Sequence, residues 1–432
     1  MATLAVTPRT GPLAATVAVP GSKSVANRAL ICAALADGES EIIGLPDGDD
    51  TSAMLDCLEL LGISVRDVAG TDDDPSALPR GLSVVGTGGR LAPGPMMLPT
   101  RLAGTTSRFI TALAAVGTGP YTIDGLPPLR VRPMAPLHDA LIELGVGVRN
   151  LAEWGHLPVE ISGPLTTPEA HVSMRGDISS QYLTALMLVS PHLPDGLRIT
   201  LTTELVSRPY VTITQAVMKA FGVATAHVGH DTIDIGPGRY SPRSYVVEPD
   251  ASSASYPLAA AAICGGSVVV PGLGTDSLQG DAGFAVLLER MGCAVHQTAT
   301  STRVSRHGPL HGIDVDMVDL SDLVPTVAVV AAFADGPSRI RGVGFIRSKE
   351  SDRLGDLCGE LRIAGVDATE TEDGLSIRPG DVRGATLQTH HDHRLAMAFG
   401  LLGLRTPGIE IADPQVVSKS WPDYWTMLEG LR

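Results

Sequence analysis

The sequence predicts an α/β protein made of six repeats of about 72 residues and divided between two domains. Two periodic markers and the length of the chain support this prediction. The chain has 432 residues, 44% of them hydrophobic, and single domains usually stop growing near ~250–300 residues. Aromatic residues make up only 4% of the chain whereas glycine occurs 48 times, which favours small-residue helices packed closely on sheets.

The first marker is a polar residue that begins an apolar, small-residue helix, followed by a glycine and a β-branched strand. Ser, Thr and Asp at helix starts can cap free backbone N–H groups. The copies begin at Ser22, Ala103, Asp177, Asp250, Asp322 and Asp392. The glycines that follow are Gly38, Gly119, Gly196, Gly266 and Gly336. Their spacings of 81, 77, 70 and 70 residues are nearly regular.

The second marker is a helix that ends in a bulky residue or alanine before glycine, with a strand after it. Its glycines are Gly62, Gly145, Gly222, Gly292 and Gly365. They are 83, 77, 70 and 73 residues apart, in phase with the first marker. Two markers in phase predict a unit of helix, strand, helix and strand that repeats six times.

A segment near the middle of the chain is rich in Pro, Gly and Ser, which is typical of a crossing between domains. It covers residues 236–245 and reads G-P-G-R-Y-S-P-R-S-Y. We predict a discontinuous domain of residues 1–21 plus 247–432 and an inserted domain of residues 22–246, with three repeats in each.

Charge and targeting features exclude several classes of function. The net charge of −15 argues against nucleic acid and against an anionic membrane surface as partners. The N-terminus lacks the pattern of a secretory signal, and the apolar run at 324–334 has the length of a buried helix. Five cysteines occur without a C-x-x-C pair, which fits buried thiols in a reducing compartment. We therefore expect a cytoplasmic protein.

Basic residues concentrate at predicted helix starts and in Gly/Pro-punctuated loops, although the chain is acidic. They are Lys23, Arg28, Arg108, Arg132, Lys349, Arg353, Arg394 and Lys419. Helix starts offer free N–H groups and the positive end of the helix dipole, and arginine grips carboxylate or phosphate in a planar fork. Simple capping explains any single start, but the set predicts a site for small, multiply charged anions.

Three residues are candidates for acid–base or metal chemistry. Asp322 is either the N-cap of an apolar helix or a general base. Glu350 either joins a surface ladder of ion pairs with Lys349 and Arg353 or acts as an acid. His393 lies in H-H-D-H, but no H-E-x-x-H or paired Cys/His spacing accompanies it, so we expect no metal. Phosphate-loop, dinucleotide-binding and esterase motifs are also absent from the sequence.

Seven motifs along nearly the whole chain resemble those of the 5-enolpyruvylshikimate-3-phosphate synthase family, in that family's order. They are P-G-S-K-S-x-x-N-R, A-G-T-T-S-R, S-S-Q-Y-L-T-A, S-R-P-Y, K-E-S-D-R-L, D-H-R-x-A-M and K-S-W-P-D-Y. The resemblance implies a two-domain inside-out α/β barrel with three β-α-β-α-β-β repeats per domain and an active site in the interdomain cleft. It also implies a cofactor-free enzyme that acts on phosphoenolpyruvate and shikimate-3-phosphate. The sequence does not indicate an oligomeric state, and a monomer is the default expectation.

The resemblance further implies roles for individual residues, carried over where the motifs match. The residues expected to act in catalysis are Asp322, Glu350 and Lys23. The residues expected to bind shikimate-3-phosphate are Lys23, Ser24, Arg28, Ser179, Ser180, Gln181, Ser207, Tyr210, Asp322 and Lys349. Those expected to bind phosphoenolpyruvate are Lys23, Gly104, Arg132, Gln181, Arg353, Arg394 and Lys419. Gly104 also predicts sensitivity to glyphosate, because a small residue there leaves room for that inhibitor.

Three other functions stay open. A related transferase uses a UDP-amino sugar, but that family carries a reactive cysteine in a polar, Arg-flanked loop, and no cysteine here has such a setting. A non-catalytic anion-binding protein would not need Asp322 and Glu350. A homologue acting on an altered cyclohexene is the third alternative, because Leu102 and Phe345 stand where the family often has polar residues.

Overall fold

The computed structural model describes residues 2–68, 81–224 and 226–431. The chain divides into two compact units. One, the discontinuous unit, consists of Met1–Pro20 and Pro249–Arg432. The other, the inserted unit, is the continuous stretch Gly21–Glu248. Each unit has its own apolar core, made largely of Ala, Val, Leu and Ile side chains.

The inserted unit contains seven helices and twelve strands among its described residues. The helices are α1 (Lys23–Leu35), α2 (Asp49–Leu60), α3 (Gly104–Ala114), α4 (Pro127–Arg130), α5 (Ala135–Glu143), α6 (Ser180–Val189) and α7 (Arg208–Ala220). The strands are β3 (Asp37–Ile43), β4 (Ser64–Val68), β5 (Gly81–Thr87), β6 (Met96–Pro99), β7 (Tyr121–Asp124), β8 (Gly147–Asn150), β9 (Val159–Ser162), β10 (Ala170–Met174), β11 (Leu197–Leu201), β12 (Ala226–Val228), β13 (Thr232–Ile235) and β14 (Ser244–Val246).

The discontinuous unit contains the remaining described helices and strands. The helices are α8 (Ala251–Cys264), α9 (Phe284–Arg290), α10 (Val324–Ala331), α11 (Gly355–Ile363), α12 (His393–Gly403) and α13 (Tyr424–Gly430). The strands are β1 (Thr3–Ala5), β2 (Leu13–Thr16), β15 (Gly266–Pro271), β16 (Ala294–Gln297), β17 (Ser301–Arg306), β18 (Asp314–Asp316), β19 (Ser338–Arg341), β20 (Asp367–Glu370), β21 (Leu375–Arg378), β22 (Ala385–Leu387) and β23 (Ile409–Ala412).

The strands form six small mixed sheets with one recurring plan. In β6-β7-β9-β8, β6 and β7 are parallel and the later pairs are antiparallel. The same plan recurs in β10-β11-β13-β12, β14-β3-β5-β4, β2-β15-β17-β16 and β18-β19-β21-β20. The sixth sheet, β22-β23-β1, has three strands. A parallel pair needs a crossover, and a helix such as α3 between β6 and β7 supplies it.

The helices predicted from the first marker are all present, as α1, α3, α6, α8, α10 and α12. The second marker is confirmed as a helix terminator, because its five glycines have φ between +77° and +95°, a region that disfavours side chains. One detail differs from the sequence analysis. Asp177 pairs with the exposed Arg175, and Ser179 caps α6 instead.

The apolar run that begins at Val324 is the buried helix α10, as its length predicted. Its eight residues are all buried, so the helix lies inside the core of the discontinuous unit. Among the described residues, no helix combines the length and the apolar character that crossing a bilayer would require.

Candidate active site

Helices α1, α3, α6 and α7 carry most of the predicted residues of the inserted unit at or near their starts. Helices α1, α3, α6 and α7 pack on one another, α3 against α6 and α7 against both α1 and α6. Ser22 caps α1 by accepting a hydrogen bond from the N–H of Val25, and Ser179 accepts from the N–H of Gln181 at α6. Each of these caps satisfies one N–H group in the first turn of its helix.

Lys23 lies at the first position of α1, and its Nζ is 2.8 Å from Oδ2 of Asp50 in the first turn of α2. Asp50 is buried, so this ion pair is shielded from solvent. The sequence analysis did not identify Asp50. The run D-G-D-D-T resembles a cluster of capping residues, and nothing local marks one carboxylate as the partner of a lysine 27 positions earlier.

Arg28 is only 2% exposed and connects three helices. Its Nε donates to Oγ1 of Thr214 on α7 at 2.8 Å, and its Nη2 donates to Thr184 on α6 and to the carbonyl of Tyr210. Its Nη1 donates to the carbonyl of Ser24 at 2.6 Å. Burial lowers the pKa of Arg28 to about 10, which still leaves it charged at neutral pH. Arg28 is therefore a cation held by neutral acceptors.

Gly104 begins α3 directly against two guanidinium groups. A Cβ at this position would lie 2.5 Å from Nη1 of Arg132 and 3.1 Å from Nη1 of Arg108. Arg108 donates to the carbonyls of Gly104 and Pro133, and both arginines are buried. The absence of a side chain at Gly104 thus lets two cations approach the backbone of a helix start.

The remaining predicted residues of this unit lie at the starts of α6 and α7. Ser180 is buried at the first position of α6, and Gln181 follows it half-buried. Ser207, also buried, precedes α7 with φ of +54°, an uncommon conformation for a residue with a side chain. Residues held in this region cluster at ligand sites. Tyr210 lies one turn further, with its ring 5.9 Å from the guanidinium carbon of Arg28.

In the discontinuous unit the predicted residues surround Asp322. Its Oδ1 is 3.0 Å from Nη1 of Arg353 and 3.7 Å from Nζ of Lys349, and its Oδ2 is 2.8 Å from Nη2 of Arg394. Burial raises the pKa of this carboxyl, but Arg394, Lys349 and Arg353 outweigh burial and hold the pKa well below its usual range. The capping interpretation of Asp322 is wrong, because it lies in a 3-10 turn and caps no helix with its side chain.

Arg353 is 1% exposed and bonds to two further carboxylates. Its Nε donates to Oδ2 of Asp392 at 2.6 Å, and its Nη2 donates to Oε2 of Glu350 at 2.8 Å. The ladder interpretation of Glu350 correctly pairs it with Arg353, but the pair is mostly buried and precedes α11 rather than lying on a helix surface. Asp392 also accepts from the N–H of Arg394, so it caps α12 and orients Arg353 at once.

Lys349 and Lys419 complete this set. Nζ of Lys349 lies 5.9 Å from the ring centroid of Phe345, so the aromatic residue that departs from the family pattern contacts a predicted substrate cation. Lys419 is buried at the end of a 3-10 turn, 414–419. The predicted residues therefore form two groups, one in each unit.

The histidines near Asp392 have carboxylate partners. Nε2 of His390 is 2.8 Å from Oε1 of Glu360, and Nδ1 of His391 is 3.4 Å from Oδ2 of Asp413. Across the described ranges, no group of three or more His, Cys, Asp or Glu side chains is arranged to hold a metal ion.

Comparison with known proteins places the chain in a family. The family model described as EPSP synthase (3-phosphoshikimate 1-carboxyvinyltransferase) matches residues 8–428. A 3-phosphoshikimate 1-carboxyvinyltransferase of Nostoc sp. is 41% identical over 427 residues, covering 99% of this chain and 98% of that protein. One of Methanosphaerula palustris is also 41% identical, over 422 residues and 97% of each chain.

Solved structures have the same fold. An EPSP synthase from Acinetobacter baumannii aligns with a TM-score of 0.82 at 24% identity, covering 99% of this chain and 97% of that one. The enolpyruvyl transferase NikO from Streptomyces tendae aligns with a TM-score of 0.77 at 19% identity, covering 100% and 98%. From the match over residues 8–428 and the full-length relatives at about 40% identity, the chain belongs to the EPSP synthase (3-phosphoshikimate 1-carboxyvinyltransferase) family.

Proposed function

We propose that the chain transfers the enolpyruvyl group of phosphoenolpyruvate to the 5-hydroxyl of shikimate-3-phosphate and releases inorganic phosphate, a step towards chorismate and the aromatic amino acids. The observation that carries this proposal is Asp322, an ionised carboxylate only 15% exposed among Lys349, Arg353 and Arg394. A protein that merely binds anions gains nothing from a carboxylate there, whereas a transferase needs a base among its substrate-binding cations.

Shikimate-3-phosphate is assigned to the helix starts of the inserted unit. Ser179, Ser180 and Ser207 supply hydroxyl groups beside backbone N–H groups, and the charge of Arg28 is not neutralised by its carbonyl and hydroxyl partners. Neutral partners leave a cation available to attract a phosphate or carboxylate. Lys23, Ser24, Gln181 and Tyr210 complete this side, together with Asp322 and Lys349 for the ring hydroxyls.

Phosphoenolpyruvate is assigned to the arginines and lysines that can clamp its carboxylate and phosphate. In the inserted unit these are Lys23 and Arg132, with Gly104 allowing close approach to the backbone and Gln181 between the two substrates. In the discontinuous unit they are Arg353, Arg394 and Lys419. The catalytic geometry then requires the two groups to serve one cleft between the domains, in the inside-out barrel arrangement of the family.

Asp322 is the proposed base for the attacking hydroxyl. With its pKa held low by three cations, it is ionised but accepts a proton weakly. A substrate anion bound to Arg353 and Arg394 adds negative charge near Asp322 and raises its basicity. Asp322 therefore becomes a stronger base only when substrate is bound.

The reaction proceeds by addition and elimination. The hydroxyl oxygen forms a bond to the central carbon of phosphoenolpyruvate as its proton passes to Asp322, while Glu350 or Lys23 gives a proton to the methylene carbon, which becomes a methyl group. The carbon–oxygen bond to phosphate then breaks, and the methyl group returns a proton to the group that supplied it, Glu350 or Lys23, which restores the double bond. The surrounding cations stabilise the charge on the departing phosphate.

Phosphate release tests the proposal. We expect release from phosphoenolpyruvate with shikimate-3-phosphate as acceptor and none with a UDP-amino sugar. Asp322→Ala should lower kcat by about a hundredfold or more, the usual effect of losing acid–base assistance. The matched control is Asp314→Ala, which removes a largely exposed carboxylate paired with Arg341 and should keep wild-type turnover.

Three results would contradict parts of the proposal. Turnover with the UDP-amino sugar would assign the chain to the related transferase, and unchanged kcat in Asp322→Ala would remove that residue from the mechanism. Turnover of a shikimate analogue in preference to shikimate-3-phosphate would favour the altered-cyclohexene alternative that Leu102 and Phe345 raise.

A further inference from the structure

A buried carboxyl group that the mechanism above does not use lies next to the Asp322 group. Asp281 belongs to the segment Gln279-Gly280-Asp281 before α9 and is 6% exposed. The hydroxyl of Ser252, in the first turn of α8, donates to its Oδ2. Asp281 is thus attached to a helix start within the discontinuous unit.

The segment from Gln279 to Asp281 is clamped onto the start of α8 by two further hydrogen bonds. Oε1 of Gln279 accepts from the N–H of Ala251 at 3.0 Å, and its Nε2 donates to the carbonyl of Pro249 at 2.7 Å. Asp250 caps the same helix by accepting from the N–H of Ser253 at 2.6 Å. The first turn of α8 is therefore fixed on several sides.

Helix α8 continues from this clamp to the site. Helix α8 packs against α12, which carries Arg394, the arginine that pairs with Asp322, and the charge of Arg394 acts on the hydroxyl of the buried Tyr256, one turn after Ser252. Ser255 lies 3.3 Å, hydroxyl to hydroxyl, from Thr326 on α10, the helix that follows Asp322. A shift of the first turn of α8 would therefore change the surroundings of both Asp322 and Arg394.

The charged groups around Asp281 include members of the site. Burial, followed by the negative charges of Asp322 and Asp250, raises the pKa of Asp281 to about 7, although Ser252 and Arg394 act in the opposite direction. Asp322, Arg394 and Asp250 are the charged groups that face it from the turn before α10, from α12 and from the start of α8. Near neutral pH its carboxyl is therefore divided between the protonated and the ionised form.

We propose that Asp281 is a positioning residue of the proposed transferase: it fixes the first turn of α8 against Arg394, and in its ionised form it opposes the binding of phosphoenolpyruvate by that arginine. The proposal rests on the proposed function, because it needs Arg394 to bind that substrate. As pH rises through 7, Asp281 gains a negative charge close to the phosphoenolpyruvate cations, and affinity for this anion falls.

The test is the KM for phosphoenolpyruvate between pH 6 and pH 8.5 in the wild type and in Asp281→Asn. Asparagine keeps an oxygen that accepts from Ser252 but cannot ionise. The ratio of wild-type to variant KM should rise with pH by about three- to tenfold, the effect of one nearby charge at a partly buried site. The ionisation of phosphoenolpyruvate itself cancels in this ratio. Asp276→Asn, the same change at an exposed aspartate, should give a constant ratio.

A second measurement does not depend on turnover. The pKa of Asp281 is higher in the folded protein than its ordinary value, so the folded state binds a proton that the unfolded state has lost. Its contribution to stability is therefore complete below about pH 4 and is lost as pH rises through 7. The Tm of Asp281→Asn minus that of the wild type should increase by several degrees between pH 5 and pH 8.

Each outcome decides a separate point. A KM ratio independent of pH overturns the proposal, even if Asp281→Asn has a lower Tm at every pH. Wild-type protein that releases no phosphate with shikimate-3-phosphate contradicts the proposed function, and the Tm measurement still decides whether Asp281 is protonated. If Asp281→Asn does not fold, Ser252→Ala replaces it. Because this variant removes a hydrogen-bond donor to the ionised form of Asp281, the rise in KM should move to higher pH. A rise in KM at the wild-type pH overturns the proposal.

Discussion

The two units hold their predicted substrate cations in different ways. In the inserted unit, Arg28 and Arg108 donate to carbonyl and hydroxyl oxygens, and Lys23 pairs with Asp50. In the discontinuous unit, a single arginine, Arg353, bonds to three carboxylates, those of Asp322, Glu350 and Asp392. Cations with neutral partners keep their charge available to a bound phosphate, whereas cations among carboxylates can fix the ionisation of acids and bases. The comparison associates the arginines of the inserted unit with substrate binding, and those of the discontinuous unit both with substrate binding and with control of the ionisation of Asp322.

The largest effect we expect is from Arg353→Lys. Lysine cannot reproduce a planar fork that serves three carboxylates, so buried negative charges would lose their partner. We expect a loss of about 3–5 kcal/mol in the free energy of unfolding, measured by denaturant titration, and a kcat reduced by about a hundredfold or more. Arg347→Lys is the control, because that arginine is more exposed and its pairs with Asp352 and Glu370 are worth little. Equal losses in both variants would contradict the special importance of the buried carboxylate partners of Arg353.

The next largest effect we expect is a loss of stability at acid pH, caused by a buried histidine of the inserted unit. His138 is buried, and burial followed by the charge of Arg108 lowers its pKa to about 4. Below the ordinary histidine pKa the unfolded chain takes up a proton that the folded protein does not, so stability falls as pH drops from 6.5 towards 4. We expect a loss of about 3 kcal/mol over this interval. His138→Gln should flatten the curve, whereas the exposed His311→Gln should not.

The smallest effect we expect is a lower affinity for phosphoenolpyruvate in Gly104→Ala. The new Cβ would lie 2.5 Å from Nη1 of Arg132, so the guanidinium must shift. We expect the KM for phosphoenolpyruvate to rise about tenfold, equivalent to about 1.4 kcal/mol, with kcat nearly unchanged. Gly359→Ala is the control, because nothing lies within 4 Å of its Cβ position and alanine favours the helix. A large fall in kcat would show that Gly104 affects the chemical step and not only the binding of phosphoenolpyruvate.

Local patterns were sufficient to predict the helices and their ends. The residues that begin α1, α6, α8 and α12 accept hydrogen bonds from N–H groups two or three positions later, and such contacts depend only on the neighbouring sequence. Glycines such as Gly145 and Gly292 adopt positive φ for an equally local reason. Both kinds of signal can be found in a single sequence.

The partners of the site residues could not be predicted in this way. Asp50, Asp281 and Asp392 each contact a residue 27 to 39 positions away, and each stands in a run that is equally typical of capping. Asp392 does cap a helix, so the local interpretation was correct and still missed its second bond, to Arg353. Only the tertiary packing shows which carboxylates meet which cations.

The pairing of β1 with β23 has a consequence for the order in which the polypeptide acquires structure. Thr3 lies opposite Ala412 in this sheet, so β1 cannot pair with β23 until residues near 410 have been synthesised. The inserted unit is a continuous stretch and can be completed in the meantime, because domains generally fold as units during synthesis. Until residues near 410 emerge, β1 is an unpaired strand edge of the kind that promotes aggregation, and its shortness, three residues, limits that exposure.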